Sequence, residues 1–371
     1  MPPYVPSFPA PHGSGWPTEE PALHGFSDTG LDEAISFALA HETAWPRDLQ
    51  AHLKAGYFEL TPDNALLGPI HPRGGPNGLL LRDGAVVARW GDTRQVDFTF
   101  SVAKSYLSLL AGVAHVDGLI PDLDEPVGHT VHDGGFEGTH NGAITWRHLL
   151  QQTSEWEGSL FGKSDVIDRN RSLALEGRGQ KGDARPLHTP GTHWEYNDVR
   201  VNRLSLALLR RLRRPLPEVF AERIMTPIGA SPDWRWHGYG TSFVEIDGRN
   251  MQSVPGGTHW GGGVEIHAED QARIGLLMLN RGLWNGARIL PESWIDESLA
   301  PCRVNRNYGL LWWLNTKRAR YPSAPESSFC AMGAGGNLTW VDPELRIVAV
   351  MRWLDRDSTD GFIRLVLNAL V

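Results

Sequence analysis

Residues 98–104 read FTFSVAK, and this stretch decides the fold that we expect for the whole chain. An apolar segment leads into Ser101, and Lys104 follows three positions later within a predicted helix over 102–113. Residues three apart share a helix face, so the hydroxyl and the amine should lie side by side. A lysine with a lowered pKa can accept the serine proton, and the helix N-terminus favours negative charge there. We therefore predict a serine nucleophile with a lysine partner.

The same spacing also allows a simpler interpretation, a helix-capping serine beside a surface lysine. The chain has only 5 lysines, and about 0.3 pairs with this spacing are expected by chance. The apolar run before Ser101 favours the catalytic interpretation, because it predicts a buried approach to the serine.

Outward from this stretch, strand patterns cluster at both ends of the chain and helical patterns in the middle. The predicted hairpins span 78–90 and 338–353, and the predicted helices span 31–39, 146–151, 199–212, 265–280 and 362–370. This arrangement predicts an α/β fold of the α+β type, with a central antiparallel sheet flanked by helices and a mostly helical inserted domain.

The predicted domain limits follow from the same pattern. Residues 1–27 form a proline-rich arm that is either packed on a surface or loose, 28–114 and 265–371 form the sheet domain, and 115–264 form the inserted domain.

A second motif follows at Tyr196-Asn197-Asp198. A phenol near a lysine ammonium can act as a phenolate-like base and move a proton between nucleophile and leaving group. The alternative is a helix start, with Asn197 or Asp198 capping the helix that follows, and both interpretations can hold together.

A third motif is glycine-rich and precedes a predicted strand, at Gly333-Ala334-Gly335-Gly336. Glycines let a backbone approach a ligand closely, and a strand here could donate an N–H to an oxyanion. The alternative is a bulge or bend at the start of the strand.

Together, and in this order, the three motifs resemble those of serine β-lactamase-like and penicillin-binding-protein-like hydrolases. The chain is most similar to class C β-lactamases, DD-peptidases and family VIII carboxylesterases, from about residue 78 to the C-terminus, including 149–154 (LLQQTS) and 260–263 (WGGG). Residues 333–343 (GAGGNLTWVDP) also resemble nylon-oligomer (6-aminohexanoate-dimer) hydrolases.

The resemblance implies a role for each matching position. Ser101 would be the acylated nucleophile, Lys104 its base partner and Tyr196 the general acid/base. The backbone N–H groups of Ser101 and Ala334 would form the oxyanion hole, with Gly333 and Gly335 beside them at the substrate.

Two positions depart from the family pattern. Asp198 stands where the Tyr-x-Asn motif has asparagine, so its contact with substrate is in doubt; an aspartate there would instead pair with Lys104 and raise the lysine pKa. The third motif, usually Lys-Thr-Gly or His-Thr-Gly, reads Ala331-Met332-Gly333 and lacks the cation that would hold a carboxylate. These departures favour a neutral ester or amide substrate.

Composition narrows the range of binding partners that we expect. The chain has 371 residues and a net charge of −8, with no basic cluster that indicates nucleic acid. We expect no metal, cofactor or membrane partner, and a homodimer is left open. No signal peptide is visible, so we expect a cytoplasmic protein, although a removed signal would escape detection. Whether Cys302 and Cys330 pair is also left open.

Tryptophan is unusually frequent, with 15 residues against 12 Phe and 7 Tyr. Trp156, Trp194 and Trp260 lie next to the motif loops, and we predict that at least two of them line the substrate pocket. The alternative is ordinary packing of these rings in the core. An aromatic-walled, uncharged pocket would suit an apolar acyl group.

The function that we predict is therefore a serine hydrolase that forms an acyl-enzyme, a carboxylesterase acting on small apolar esters. The alternatives are a β-lactamase, DD-peptidase or amidase, and a non-catalytic binding module on the same fold.

Overall fold

The structure is a computed structural model that describes residues 7–11, 16, 18–173 and 180–371. Its helices are α1 (Asp28–Ala40), α2 (Leu49–Lys54), α3 (Val102–Val116), α4 (Gly138–Asn141), α5 (Trp146–Leu150), α6 (Asp198–Leu212), α7 (Leu216–Phe220), α8 (Ala268–Leu279), α9 (Glu292–Leu299) and α10 (Thr359–Asn368). Its strands are β1 (Asn77–Arg82), β2 (Ala85–Trp90), β3 (Asp97–Phe98), β4 (Ser159–Leu160), β5 (Lys163–Ser164), β6 (Arg235–His237), β7 (Phe243–Ile246), β8 (Arg249–Gln252), β9 (Gly263–Ile266), β10 (Leu283–Trp284), β11 (Ala287–Arg288), β12 (Trp313–Leu314), β13 (Phe329–Gly333), β14 (Asn337–Asp342) and β15 (Ile347–Arg352).

The central sheet joins the two ends of the chain. Its strand order is β12-β13-β14-β15-β1-β2, and all neighbours are antiparallel. Strand β1 pairs with β15, with Asn77 opposite Arg352. Both predicted hairpins, β1–β2 and β14–β15, are present. The predicted fold, an antiparallel sheet flanked by helices, is confirmed.

Helices cover both faces of this sheet, which is why β14 and β15 are buried along their whole length. Helix α8 packs on β14, β15 and β1. It approaches closely because Gly275 has no side chain: a Cβ there would lie 2.6 Å from a methyl carbon of Val348. Helices α1 and α10 pack on each other, and Phe362 of α10 contacts the ring of Trp90 at 5.4 Å.

The predicted helix at 265–280 begins later than expected, at Ala268. Residues 263–266 form β9, which pairs with β3 and β6, and the His267 side chain accepts a hydrogen bond from Asp270 N at 3.1 Å. This cap sets the start of α8 after the end of β9. The apolar periodicity of the sequence did not separate the strand from the helix. The domain limits at 114 and 265 stay a prediction.

The described part of the N-terminal arm packs on the edge of the sheet. Trp16 is buried and donates a hydrogen bond to Gly84 O at 3.2 Å, and Thr18 bridges Val86. Residues 1–6, 12–15 and 17 of the predicted arm lie outside the described residues.

Two further findings concern the cysteines and the possibility of a membrane-spanning helix. Cys302 and Cys330 are both buried and free. Within the described stretches, no helix combines the length and the apolar character needed to cross a lipid bilayer.

A buried arginine ties the central sheet to the strand that leads to Ser101. Arg352, on β15, donates to Phe98 O at 3.1 Å, Ile266 O at 2.8 Å and Asn337 Oδ1 at 2.6 Å. It is 1% exposed, and these carbonyl oxygens satisfy donors that would otherwise be unpaired in the core. The start of α3 is thereby held in a defined position on the sheet.

Candidate active site

Ser101 lies at the N-terminus of α3, directly after a constrained turn. Thr99 N donates to Val264 O at 2.9 Å, and Phe100 then adopts a left-handed backbone conformation with a φ of 52°. A bulky residue rarely has this conformation, so the surroundings must hold it. The Phe100 ring is buried and packs edge-on against Trp45 and Trp353. This packing fixes the direction in which the chain enters Ser101.

Lys104 is buried, and acceptors surround its amine on three sides. Nζ donates to Ser101 Oγ at 2.9 Å and to Gly256 O at 3.2 Å, and it also contacts Asp198 Oδ1. Burial lowers the pKa of Lys104, but the charge and hydrogen bond of Asp198, together with the other neighbouring groups, outweigh burial, so the pKa lies above its ordinary value. The side chain is therefore an ammonium at neutral pH, and the Lys104–Asp198 pair predicted from the sequence is present.

Asp198 is held as a carboxylate by three neighbours. Its Oδ2 contacts Arg171 Nη1 at 2.5 Å and His259 Nδ1 at 3.0 Å, while Oδ1 accepts from Lys104. Burial alone would raise the pKa of Asp198, but the charges of Lys104 and Arg171 outweigh burial and keep it well below its ordinary value.

More charged groups lie behind Asp198, and we call the set the ionic cluster. It comprises Glu59, Lys104, Asp168, Arg171, Lys181, Asp198 and His259. Among the residues that the structure describes, the carboxyl groups of this cluster lie against the cationic groups of Lys104, Arg171 and Lys181. Such pairing is what allows charges to be buried.

Burial shifts the pKa of several members of the ionic cluster. It raises the pKa of Asp168 to about 7 and lowers the pKa of Lys181 to about 7. It also lowers the pKa of His259 to about 3, so the imidazole is neutral at pH 7.

Three members of the ionic cluster also have the chemistry of metal ligands. Ligand atoms of Glu59, Asp168 and His259 lie within 4.8 Å of one another. The amine of Lys181 already lies among them, contacting Glu59 Oε1 and lying 3.0 Å from Asp168 Oδ1. We therefore assign these side chains to the ionic cluster.

Tyr196 contacts the site through the face of its ring. Lys104 Nζ lies 4.9 Å from the ring centroid and the Arg171 guanidinium 5.2 Å from it. The ring of Trp313 stacks on it at 5.5 Å. Its neighbour Asn197 caps α6 by accepting from Arg200 N at 3.1 Å, so the helix-start interpretation of this motif holds as well.

The glycine-rich motif forms the tight connection between β13 and β14. A Cβ on Gly333 would lie 1.9 Å from Thr99 O and 3.1 Å from Ser101 N, so this segment presses against the start of α3. Gly335 has a φ of 73°, and a Cβ there would lie 2.6 Å from the Trp353 ring. Ala334 thus lies between two positions that only glycine fits; the role of its N–H in an oxyanion hole stays a prediction.

A second pair of glycines borders the site and was not identified from the sequence. A Cβ on Gly257 would lie 3.2 Å from both Lys104 Nζ and Ser101 Oγ. Gly256 supplies the carbonyl that accepts from Lys104. The local signal was a Pro-Gly-Gly run at 255–257, which resembles an ordinary turn.

The three tryptophans expected near the pocket pack mainly in the protein interior. Trp156 is 3% exposed and donates to Gly135 O at 2.6 Å. Trp260 is 0% exposed, stacks on His259 at 4.1 Å and donates to Asp63 O at 2.9 Å. Trp194 is partly buried and lies 6.2 Å from the Tyr196 ring. The tryptophan stacked on Tyr196 is Trp313, which the sequence analysis did not select.

Comparisons with known proteins identify the family and the fold. The Beta-lactamase family model matches residues 80–363. No curated protein sequence matches the chain.

Among solved structures, a penicillin-binding protein homologue from Caulobacter crescentus is 16% identical, with 88% of this chain and 99% of that chain covered and a TM-score of 0.58. A family VIII carboxylesterase is 16% identical, with 88% and 98% covered and a TM-score of 0.55. A beta-lactamase from Mycobacterium bovis is 16% identical, with 80% and 95% covered and a TM-score of 0.54. At this identity, the structures establish the fold that the chains share.

Proposed function

Because the chain belongs to the beta-lactamase family of serine hydrolases, we propose that it forms an acyl-enzyme on Ser101 and acts as a carboxylesterase on small esters. The observation that carries the proposal is the 2.9 Å hydrogen bond from Lys104 Nζ to Ser101 Oγ. It joins the hydroxyl that would attack the ester to the cation that would stabilise it as it becomes negative.

The charge of Lys104 decides how the proton moves. Its ammonium already donates to Ser101, Gly256 and Asp198, so it has no free position for the serine proton. We assign the acceptor role to Tyr196, which would act as a phenolate-like base; Lys104 Nζ and the Arg171 guanidinium, 4.9 Å and 5.2 Å from its ring centroid, would stabilise the negative charge of that base.

In the first half of the reaction, Ser101 Oγ bonds to the ester carbonyl carbon while its proton passes to Tyr196. The N–H groups of Ser101 and Ala334 stabilise the oxyanion. When the carbon–oxygen bond to the alcohol breaks, Tyr196 returns the proton to the leaving alkoxide. Water then attacks the acyl-enzyme with Tyr196 as base, and the acid and free Ser101 are released.

An ester fits this site better than an amide or a β-lactam. An asparagine at position 198 could donate an amide hydrogen to a substrate carbonyl, but a carboxylate has no hydrogen to donate. Both Asp198 oxygens are also engaged within the ionic cluster. We expect an apolar acyl portion near the scissile bond, because apolar Met332 adjoins Gly333 and the Trp313 ring stacks on Tyr196.

The test combines turnover with labelling. We expect the chain to hydrolyse 4-nitrophenyl acetate and butyrate, and a fluorophosphonate probe to label Ser101. The Ser101→Ala variant should lose both signals, whereas Ser36→Ala, at an exposed serine on α1, should keep them. Equal turnover by the wild type and Ser101→Ala would refute the proposal, and nitrocefin hydrolysis faster than ester hydrolysis would favour the β-lactamase alternative.

A further inference from the structure

A cavity of about 340 Å³ lies beside the glycine-rich segment, and Arg320, Met332 and Arg356 are among the residues that line it. Met332 directly precedes Gly333, where an added Cβ would lie 1.9 Å from Thr99 O and 3.1 Å from Ser101 N. The cavity therefore begins one residue from the segment that touches the start of α3.

Arg320 reaches this cavity from a separate loop and is held in place by its neighbours. Its backbone N donates to Asn315 Oδ1 at 3.2 Å, and its guanidinium lies 4.0 Å from the centroid of the Trp313 ring. Its Nη1 lies 3.5 Å from Met332 Sδ. Since Trp313 also stacks on Tyr196, the same ring connects Arg320 to the proposed proton acceptor.

The charges of this cavity differ from those of the ionic cluster. No carboxylate in the described segments forms an ion pair with Arg320 or Arg356. Two aspartates do line the cavity, but Asp360 accepts from Ser323 N at 3.0 Å and Ser323 Oγ at 2.9 Å, and Asp357 is exposed. The two guanidinium groups thus keep donors available for an anion.

We propose that Arg320 and Arg356 form a subsite for a carboxylate carried by the substrate. This proposal rests on the ester hydrolysis proposed above and names its substrate class: esters with an apolar portion near the scissile carbonyl and a carboxylate at the far end. A planar guanidinium stacked on an aromatic ring is pre-organised to bind a carboxylate through two hydrogen bonds. The motif at 331–333 lacks a cation, and the loop carrying Arg320 supplies one from elsewhere in the chain.

The chain length between Met332 and Ala334 indicates the length of such a substrate. Ala334 follows the last residue of β13, and two residues of extended chain span at most about 7 Å, so Met332 lies within about 7 Å of Ala334. An adipate half-ester has a comparable separation between its ester carbonyl and its free carboxylate. A carboxylate on the leaving group is the second arrangement that the cavity admits.

The experiment compares matched anionic and neutral esters. One pair is 4-nitrophenyl hydrogen adipate and 4-nitrophenyl hexanoate, and the other is 4-carboxyphenyl butyrate and phenyl butyrate. In at least one pair, the ratio of kcat/KM for the anionic ester to that for the neutral ester should fall about tenfold or more in Arg320→Gln, because hydrogen bonds to charged groups are lost. Arg356→Gln should lower the ratio less, since Arg356 is exposed.

The control is Arg249→Gln, which removes an exposed arginine on the β7–β8 hairpin and should leave the ratio unchanged. Unchanged ratios for both pairs in Arg320→Gln would overturn the proposal, while labelling of Ser101 would still support the hydrolase.

A binding measurement tests the proposed carboxylate subsite even if the protein hydrolyses none of these esters. Ser101→Ala should bind monomethyl adipate more tightly than dimethyl adipate by calorimetry, and adding Arg320→Gln should abolish the difference. Equal binding of the two esters by Ser101→Ala would also overturn the proposal.

Discussion

On one side of Tyr196, the ionic cluster buries its charges in pairs; on the other, Arg320 stacks on Trp313 without a carboxylate partner in the described chain. Lys104 is locked among three acceptors, whereas Arg320 makes only weak side-chain contacts. The difference indicates two tasks. A charge that must stay in one position is paired, and a charge that must meet a ligand is left with donors to spare.

The largest effect should come from removing the locked cation. In Lys104→Met, kcat for 4-nitrophenyl butyrate should fall about 10³-fold, because the serine loses the positive charge that stabilises its oxygen. Stopped-flow or steady-state absorbance measures this directly. Lys317→Met, at an exposed lysine, is the matched control and should retain full activity. Comparable kcat values for the two variants would contradict the catalytic role of the Lys104 charge.

The next effect concerns stability on the paired side. Asp198→Asn leaves Lys104 and Arg171 buried without their shared anion, so the free energy of unfolding should fall by about 3–5 kcal/mol in urea titrations. Asp247→Asn, which breaks the exposed pair with Arg213, should leave the urea midpoint almost unchanged. If both variants unfold at the same urea concentration, the buried Asp198 pairs contribute no more to the free energy of unfolding than the exposed pair does.

A smaller effect should appear at acidic pH, at the buried ion pairs of Glu155 with Arg185 and Arg200. Burial would raise the pKa of Glu155, but hydrogen bonds from Arg185 and Arg200 outweigh it and lower the pKa from 4.5 to about 2. A carboxyl with a lowered pKa in the folded state stabilises the protein above its unfolded pKa. That stability is lost as the pH falls from about 4.5 to 2.

Glu155→Gln should therefore show a flatter loss of unfolding free energy over this pH window than the wild type, measured by circular dichroism in urea. Parallel pH curves for the two proteins would contradict the assigned pairing.

The smallest effect should come from the aromatic support of Arg320. In Trp313→Phe, KM for the anionic ester should rise about two- to fivefold, because a smaller ring weakens a contact worth about 0.5–1 kcal/mol. Trp234→Phe, at a partly buried ring packed on Phe220, should not change KM. A KM change confined to the neutral ester would mean that Trp313 acts on the acyl group and not through Arg320.

Local patterns predicted the parts of the molecule that local physics determines. The two hairpins and the helix after Ser101 follow from short-range spacing. The Lys104–Asp198 pair was expected from the family resemblance, at a position where the family has asparagine. Glu59, Arg171, Lys181 and His259 come from separate segments, and no periodicity links them.

Arg320 was not predicted for the same reason. In the proposed subsite it supplies the cation that the motif at 331–333 lacks, but it belongs to a separate loop. The expected tryptophan pocket depended on adjacency along the chain, which does not determine which way a ring points. Trp156 and Trp260 are buried, and their place in a substrate pocket stays a prediction.

The register of the central sheet has a consequence for how the chain is made. Strand β1 lies between β2 and β15, and its residue Asn77 pairs with Arg352. During synthesis, the β1–β2 hairpin therefore leaves the ribosome with an unpaired edge and keeps it until β15 has emerged. Contacts this distant in sequence form slowly, and open edges promote association between nascent chains. Strand β15 is thus needed to complete the central sheet, so chains that stop before it should accumulate as insoluble material.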